Sequence, residues 1–308
     1  MVVFHVRAKG VTFARKTCRS WLTWLFVALQ YLLPQHLLSR IVHRIARNRV
    51  RWVKDALIKS FLRGFRPQMS EAAQPDPLGY PSFNAFFTRT LRPDVRPVDP
   101  DPSALVSPVD GTISQIGQLD GSRLVQAKGH SYTLAALLGG APTWAERFAG
   151  GAFATLYLAP YNYHRMHMPL LGNLRAAWFV PGRLFSVNAA TTAAVPGLFA
   201  RNERVVCVFE EGSLAFAMVL VGALFVGSIS TVWHGDVTPS KVQGPLELPL
   251  DATRAPLRLE KGAEMGRFNM GSTVILLLAP GMAQWLAALE AGSRVQFGQR
   301  LARLTRLK

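Results

Sequence analysis

From Ala104 onward the chain is built of short apolar runs, five to nine residues long: Thr112–Ile116, Phe153–Leu158, Arg204–Phe209, Leu214–Val221, Leu224–Val232 and Val274–Leu278. Glycine and proline punctuate them. Runs of this length are too short for the helices of a bundle, and their β-branched content favours strands. This half of the chain therefore reads as a β-rich body, sandwich-like or barrel-like. Met282–Glu290 reads as a short helix, and "GSRVQFGQRLARL" (Gly292–Leu304) as a final strand pair. Phe83–Ser103, rich in proline and charge, reads as an extended segment that wraps the body.

The first 68 residues have a different character. They hold fourteen Lys or Arg and a single acid, Asp55. Apolar material lies among the cations: Trp21–Leu29, Tyr31–Leu33, then Leu37, Leu38, Ile41, Ile45, Trp52, Leu57, Ile58, Phe61 and Leu62. Many of these spacings are three or four, which predicts amphipathic helices. The longest apolar run falls short of the roughly 20 residues needed to span a bilayer. Basic flanks with Trp and Tyr suit a helix lying on an anionic membrane surface. A signal peptide is disfavoured, because Gln35-His36 follows the apolar run where a small-residue cleavage site would stand. Nucleic acid is disfavoured as a partner, since no zinc finger, basic heptad or aromatic RNA-binding signature is present. The fold class is thus α+β, with a helical region over residues 1–68 and a β-rich catalytic domain over 69–308. The two cysteines, Cys18 and Cys207, show no disulfide or zinc spacing, and a reducing compartment is expected.

Three stretches carry reactive side chains. "SPVDGTI" presents Asp110 in a turn signal before Gly111. "YNYHRMHMP" presents His164 and His167, with no carboxylate or thiol nearby to complete a metal site. "FNMGSTVILLL" presents Gly271-Ser272-Thr273 just ahead of an apolar run. An acid, a base and a hydroxyl that converge in space would activate the serine. The usual hydrolase signature Gly-x-Ser-x-Gly is missing at Ser272. A membrane-surface Ser/His/Asp lipid hydrolase that leaves its chain intact is the alternative reading; a non-catalytic basic adaptor is a further one.

These stretches, in this order, together with "FFTRTLRPDVRPVD", "PGRLFSVN", "LFARNERV" and "FVGSI", resemble the phosphatidylserine decarboxylase family, in its bacterial membrane-associated type. The likeness runs from about Gln30 nearly to the C-terminus. At the reactive turn the family usually has leucine where this chain has Met270, a swap close in volume. The resemblance implies autocatalytic cleavage between Gly271 and Ser272. It gives a β chain, 1–271, an α chain, 272–308, and a pyruvoyl group formed from Ser272. It implies that His167 takes the Ser272 proton, that Asp110 holds that imidazole, and that His164 serves the later decarboxylation. It further implies phosphatidylserine as substrate, phosphatidylethanolamine and CO2 as products, and a dimer of two-chain units. The setting it implies is peripheral, on the cytoplasmic face of the cell membrane. A pyruvoyl enzyme acting on a soluble amino acid fits the membrane-like N-terminus less well.

Overall fold

The computed structural model describes residues 21–127, 129–225, 228–237, 244–250, 257–271 and 273–305. The first twenty residues lie outside it, with the cations Arg7, Lys9, Arg15, Lys16 and Arg19 and with Cys18. Three helices come first: α1 (Trp21–Leu32), α2 (Gln35–Ala46) and α3 (Arg51–Phe65). No single described helix is long and apolar enough to cross a membrane, and α1 and α2 meet at a bend of 89°. Pro34 stands at that bend as the N-cap of α2. Two buried glutamines fasten the bend to the body. Gln30 Oε1 accepts from Ser186 N at 2.7 Å, and Gln35 Oε1 accepts from Leu184 N at 2.8 Å.

The expected wrap-around segment starts with a short helix, α4 (Phe83–Phe87), and is extended only after it. Ser82 caps the helix, its Oγ accepting from Ala85 N. Three phenylalanines of α4 are buried with Phe61 and Ile58 of α3, so the helical region shares an aromatic core with the start of the body. That burial is what favours a helix over an extended path there.

The body is β-rich, as the run lengths predict. In its main antiparallel sheet the strand Thr273–Leu278 lies between Leu214–Val221 and Ala152–Tyr157. Arg204–Glu211 and Gly172–Val180 continue the sheet on one side, and Gly111–Gln118 on the other. Both faces of this sheet are covered. Val274, Leu276 and Leu278 enter one apolar cluster, while Ile275 and Leu277 enter the other. A strand buried on both faces needs no polar alternation, hence the continuous apolar run. A second sheet orders Gly235–Val237, Ile229–Thr231, Glu264–Phe268 and Arg165–His167.

Three local expectations are corrected. Met282–Glu290 is not a helix: Ala283–Trp285 is a strand on Arg300–Leu304, and Leu286 N bonds Leu301 O. A nine-residue helix has little stability of its own, and the open edge of the last strand takes this backbone instead. The final strands Arg294–Val295 and Arg300–Leu304 do not pair with each other. The first joins Gly111–Thr112, and the second lies between Ala104–Val106 and Ala283–Trp285. Of Leu224–Val232, only Ile229–Thr231 is a strand. Leu224-Phe225 form a turn with Phe225 at φ 69°, and Val226-Gly227 lie outside the described residues.

Candidate active site

Sheet register sets the site. Thr273 stands opposite Tyr157 and Val221, so the residue after Tyr157 and the residues before Thr273 meet at one sheet end. There a Cβ built on Gly271 would lie 3.4 Å from His164 Nε2 and 3.7 Å from the Leu158 carbonyl. Ser272 itself lies outside the described residues.

His164 is fully buried under the Phe87 ring, centroids 4.1 Å apart. Its Nδ1 lies 2.8 Å from the Asn162 carbonyl. A carbonyl only accepts, so Nδ1 carries the proton and Nε2 keeps its lone pair. Nε2 is buried and without a partner among the described residues. Burial, and then the nearby Arg89 guanidinium, push its pKa down to about 3. The ring is neutral at ordinary pH, with an open nitrogen turned toward Gly271.

His167 is engaged on both nitrogens. Nδ1 donates to the Gly262 carbonyl at 2.9 Å, so Nε2 accepts the Tyr163 hydroxyl, also at 2.9 Å. Burial lowers its pKa as well, partly offset by the bond to Gly262. The ring stacks on Phe297, centroids 3.7 Å apart.

The expected hydrogen bond between Asp110 and His167 is absent, and this part of the sequence reading is corrected. The Asp110 carboxylate takes Arg96 with both oxygens, Nε at 3.1 and 3.2 Å and Nη2 at 2.7 Å. It also accepts Phe297 N at 2.8 Å. Arg96 bridges on to Glu71 at 2.7 Å. A planar guanidinium satisfies a carboxylate at two points, which a single imidazole N–H does not. Asp110 therefore makes no direct hydrogen bond to His167; it holds the backbone of Phe297, whose ring covers the imidazole, and its charge acts on that imidazole through space, opposing the lowering by burial.

Two cavities flank this centre. One, of about 290 Å³, is lined mainly by apolar side chains, among them Phe61 and Phe65 of α3, Phe87, Tyr157, Val187 and Met270, and it reaches Gly271. The other, of about 440 Å³, is polar and lined by Arg66, Arg89, Arg96, Asp110, Tyr163 and Arg294. No group of three or more His, Cys, Asp or Glu able to hold a metal occurs among the described residues.

Sequence reasoning missed Tyr163, Arg96, Arg89 and Phe87 as parts of the site. All four lie within stretches that were singled out, so their signal was proximity in sequence to the histidines and in the Phe-Phe-Thr-Arg segment. Gly262 and Phe297 carried no signal, because only the packing of distant loops brings them to His167.

An apolar cavity that reaches a glycine turn, with a neutral imidazole beside that turn, is an arrangement suited to an enzyme. Comparison with known proteins gives the family. The family described as phosphatidylserine decarboxylase matches residues 83–303, and a family described as PSD matches residues 25–66. The chain is 54% identical over 277 residues to a phosphatidylserine decarboxylase proenzyme of Pseudomonas fluorescens, covering 90% of this chain and 96% of that one. It is 54% identical over 278 residues to the proenzyme of Bordetella pertussis, covering 90% and 94%. A Pseudomonas putida proenzyme is 52% identical over 278 residues, covering 90% and 97%. The chain belongs to the phosphatidylserine decarboxylase family.

Proposed function

We propose that this chain cuts itself between Gly271 and Ser272 and then converts phosphatidylserine to phosphatidylethanolamine and CO2. The observation that carries the reading is the Nε2 of His164, unpartnered among the described residues and facing Gly271 at the end of the apolar cavity. In the first reaction the Ser272 hydroxyl adds to the Gly271 carbonyl, and the peptide C–N bond gives way to an ester. His164 Nε2 takes the hydroxyl proton and returns one to the leaving nitrogen. Loss of the Ser272 α-proton then breaks the Cβ–O bond, leaving Gly271 as a carboxylate. The new N-terminus takes up water and releases ammonia, which leaves a pyruvoyl group.

The residues fit such a group. Gly271 presents no side chain, and the adjoining cavity is lined mainly by apolar side chains. When formed, the ketone supplies an electron sink for the pair left by departing CO2. His164 is placed to return a proton to the substrate carbon. Arg89, almost fully buried, has Nε and Nη1 unpartnered among the described residues, and its charge helps keep that imidazole neutral. Phe61, Phe65 and Phe87 offer apolar surface to a lipid.

A second reading keeps His167 as the base for cleavage, with Asp110 behind it, as the family resemblance implies. It is favoured by the accepting Nε2 of His167, and it requires the Tyr163 bond to open. Denaturing gels of His164→Ala and His167→Ala separate the two. The first reading expects uncut chain from His164→Ala. Full maturation of His164→Ala, with uncut His167→Ala, transfers the role to His167.

The N-terminal helices suit peripheral residence on an anionic membrane, and the family resemblance implies its cytoplasmic face. Trp21, Trp24 and Leu32 of α1 and Trp52 of α3 are exposed, while α2 and α3 carry the cations. Vesicle sedimentation tests this: binding should rise with anionic lipid and weaken with salt.

A further inference from the structure

The segment leading into Gly271 is held more firmly than a tight turn requires. Asn269 is buried, and its side chain is fully engaged. Its Nδ2 donates to Ser228 Oγ and to Ser230 Oγ, each at 2.7 Å. Its Oδ1 accepts from Asn84 Nδ2 at 3.1 Å, and its backbone N–H donates to the Ser228 carbonyl at 3.0 Å. Asp236 closes the cluster, bonded to Ser230 Oγ and ion-paired with Arg47, the C-cap of α2. One residue earlier, Phe268 N donates to the His164 carbonyl at 3.0 Å. On the far side, Thr273 is already in register in the main sheet.

Between these fixed points Met270 has φ +124°, a backbone region that residues with a β-carbon rarely enter. Its side chain packs against the aromatic cluster of α3 and α4. The strain therefore adjoins the scissile unit, one residue before the carbonyl that would be attacked.

We propose that Asn269 is a positioning residue for self-cleavage: it pins the strand end so that Met270 is held in a strained backbone conformation, and release of that strain favours attack on the Gly271 carbonyl. The inference rests on the cleavage reading above. Strain of this kind persists only where the surroundings over-determine the backbone, and the Asn269 cluster together with the sheet register does so. Glycine at position 270 would accept the same φ without strain and without fixing the carbonyl's direction.

The test follows conversion of the full chain into two fragments over time on denaturing gels. Wild type is compared with Met270→Gly, Met270→Ala, Met270→Leu and Asn269→Ala. Met270→Gly should mature about tenfold to a hundredfold more slowly, while Met270→Leu, which keeps the β-carbon, should mature at close to the wild-type rate. Asn269→Ala should also be slow. Melting temperatures, measured in a Ser272→Ala background so that no chain is cut, provide the readout that a merely structural role would not give. Met270→Gly loses the packing of the side chain, so its parent for comparison is Met270→Ala, which loses the same packing but keeps the β-carbon. Met270→Gly should melt no lower than Met270→Ala even though it matures more slowly, and a lower Tm for Met270→Gly than for Met270→Ala would overturn strain in favour of simple destabilisation. Met270→Gly maturing as fast as wild type would overturn the proposal outright, and a fast Asn269→Ala would remove Asn269 from it. A wild-type chain that stays whole would instead overturn the cleavage reading, and this inference with it.

Discussion

The N-terminal helices and the central sheet draw on the same apolar residue types and place them oppositely. In the strand Thr273–Leu278 every residue is buried. In α1, Trp21, Trp24, Leu25, Phe26, Leu29 and Leu32 are exposed, Leu32 at 83%. Several large apolar side chains exposed on one short helix mark a candidate interaction surface. The chemistry lies at the end of the buried strand, whereas the exposed helices carry the excess of charge. Under the proposed function the reaction belongs to the sheet and membrane placement to the helices, and Phe61 and Phe65 of α3 reach the cavity beside Gly271.

The sharpest break of this division is Ser272→Ala. It should abolish both cleavage and decarboxylation while leaving vesicle binding unchanged. Loss of binding in that variant would mean that the two regions are not separable. Next is His164→Ala, where any fraction that matures should turn over on the order of 10²–10⁴-fold more slowly, as for loss of a general acid–base group. Turnover assays on purified mature enzyme read this, and near-normal rates would remove His164 from the reaction.

A paired truncation tests burial itself. Leu276→Ala should cost about 2–5 kcal/mol in denaturant unfolding, because the residue is fully buried. Leu32→Ala should stay within about 0.5 kcal/mol, as for exposed positions, yet weaken vesicle binding. Equal destabilisation of the two would place α1 in the folding core.

Smaller effects are expected from charge. Arg44, Arg49, Arg51 and Arg63 are exposed, whereas Arg47 is tied to Asp236 and makes a poor choice. Reversing those four should weaken binding to anionic vesicles by roughly 1 kcal/mol per residue at low salt. The apparent KM for vesicle substrate should rise, with little change for a short-chain soluble phosphatidylserine.

The smallest expected effect is on pH. The His164 pKa is about 3 in the folded chain, below its ordinary 6.5. The unfolded chain therefore binds the extra proton between those values. The stability this group supports is complete above about pH 6.5 and is lost as pH falls toward 3. In a Ser272→Ala background, His164→Asn should lose less stability than its parent from pH 6.5 to 4. Identical slopes would mean that His164 is not held neutral by burial.

Much of this was legible from residues. Val274–Leu278 is a two-sided buried strand, and its unbroken apolar run said so, because burial on both faces removes any need for polar alternation. The cationic helices were legible for a similar reason, since spacings of three and four follow from helix geometry alone. The sequence by itself also determined the family, through several motifs in order, and the two histidines as candidates. Tertiary structure decided how those histidines differ: register sets His164 against Gly271, and loop packing closes His167 between Tyr163, Gly262 and Phe297. It decided that Asp110 pairs with Arg96, and that Ala283–Trp285 completes a sheet edge where a helix was expected. Local pattern records what a residue needs, burial or water, a turn or a strand. The partner that meets the need is chosen by contacts between segments far apart in the chain, and such pairings leave no periodicity to read.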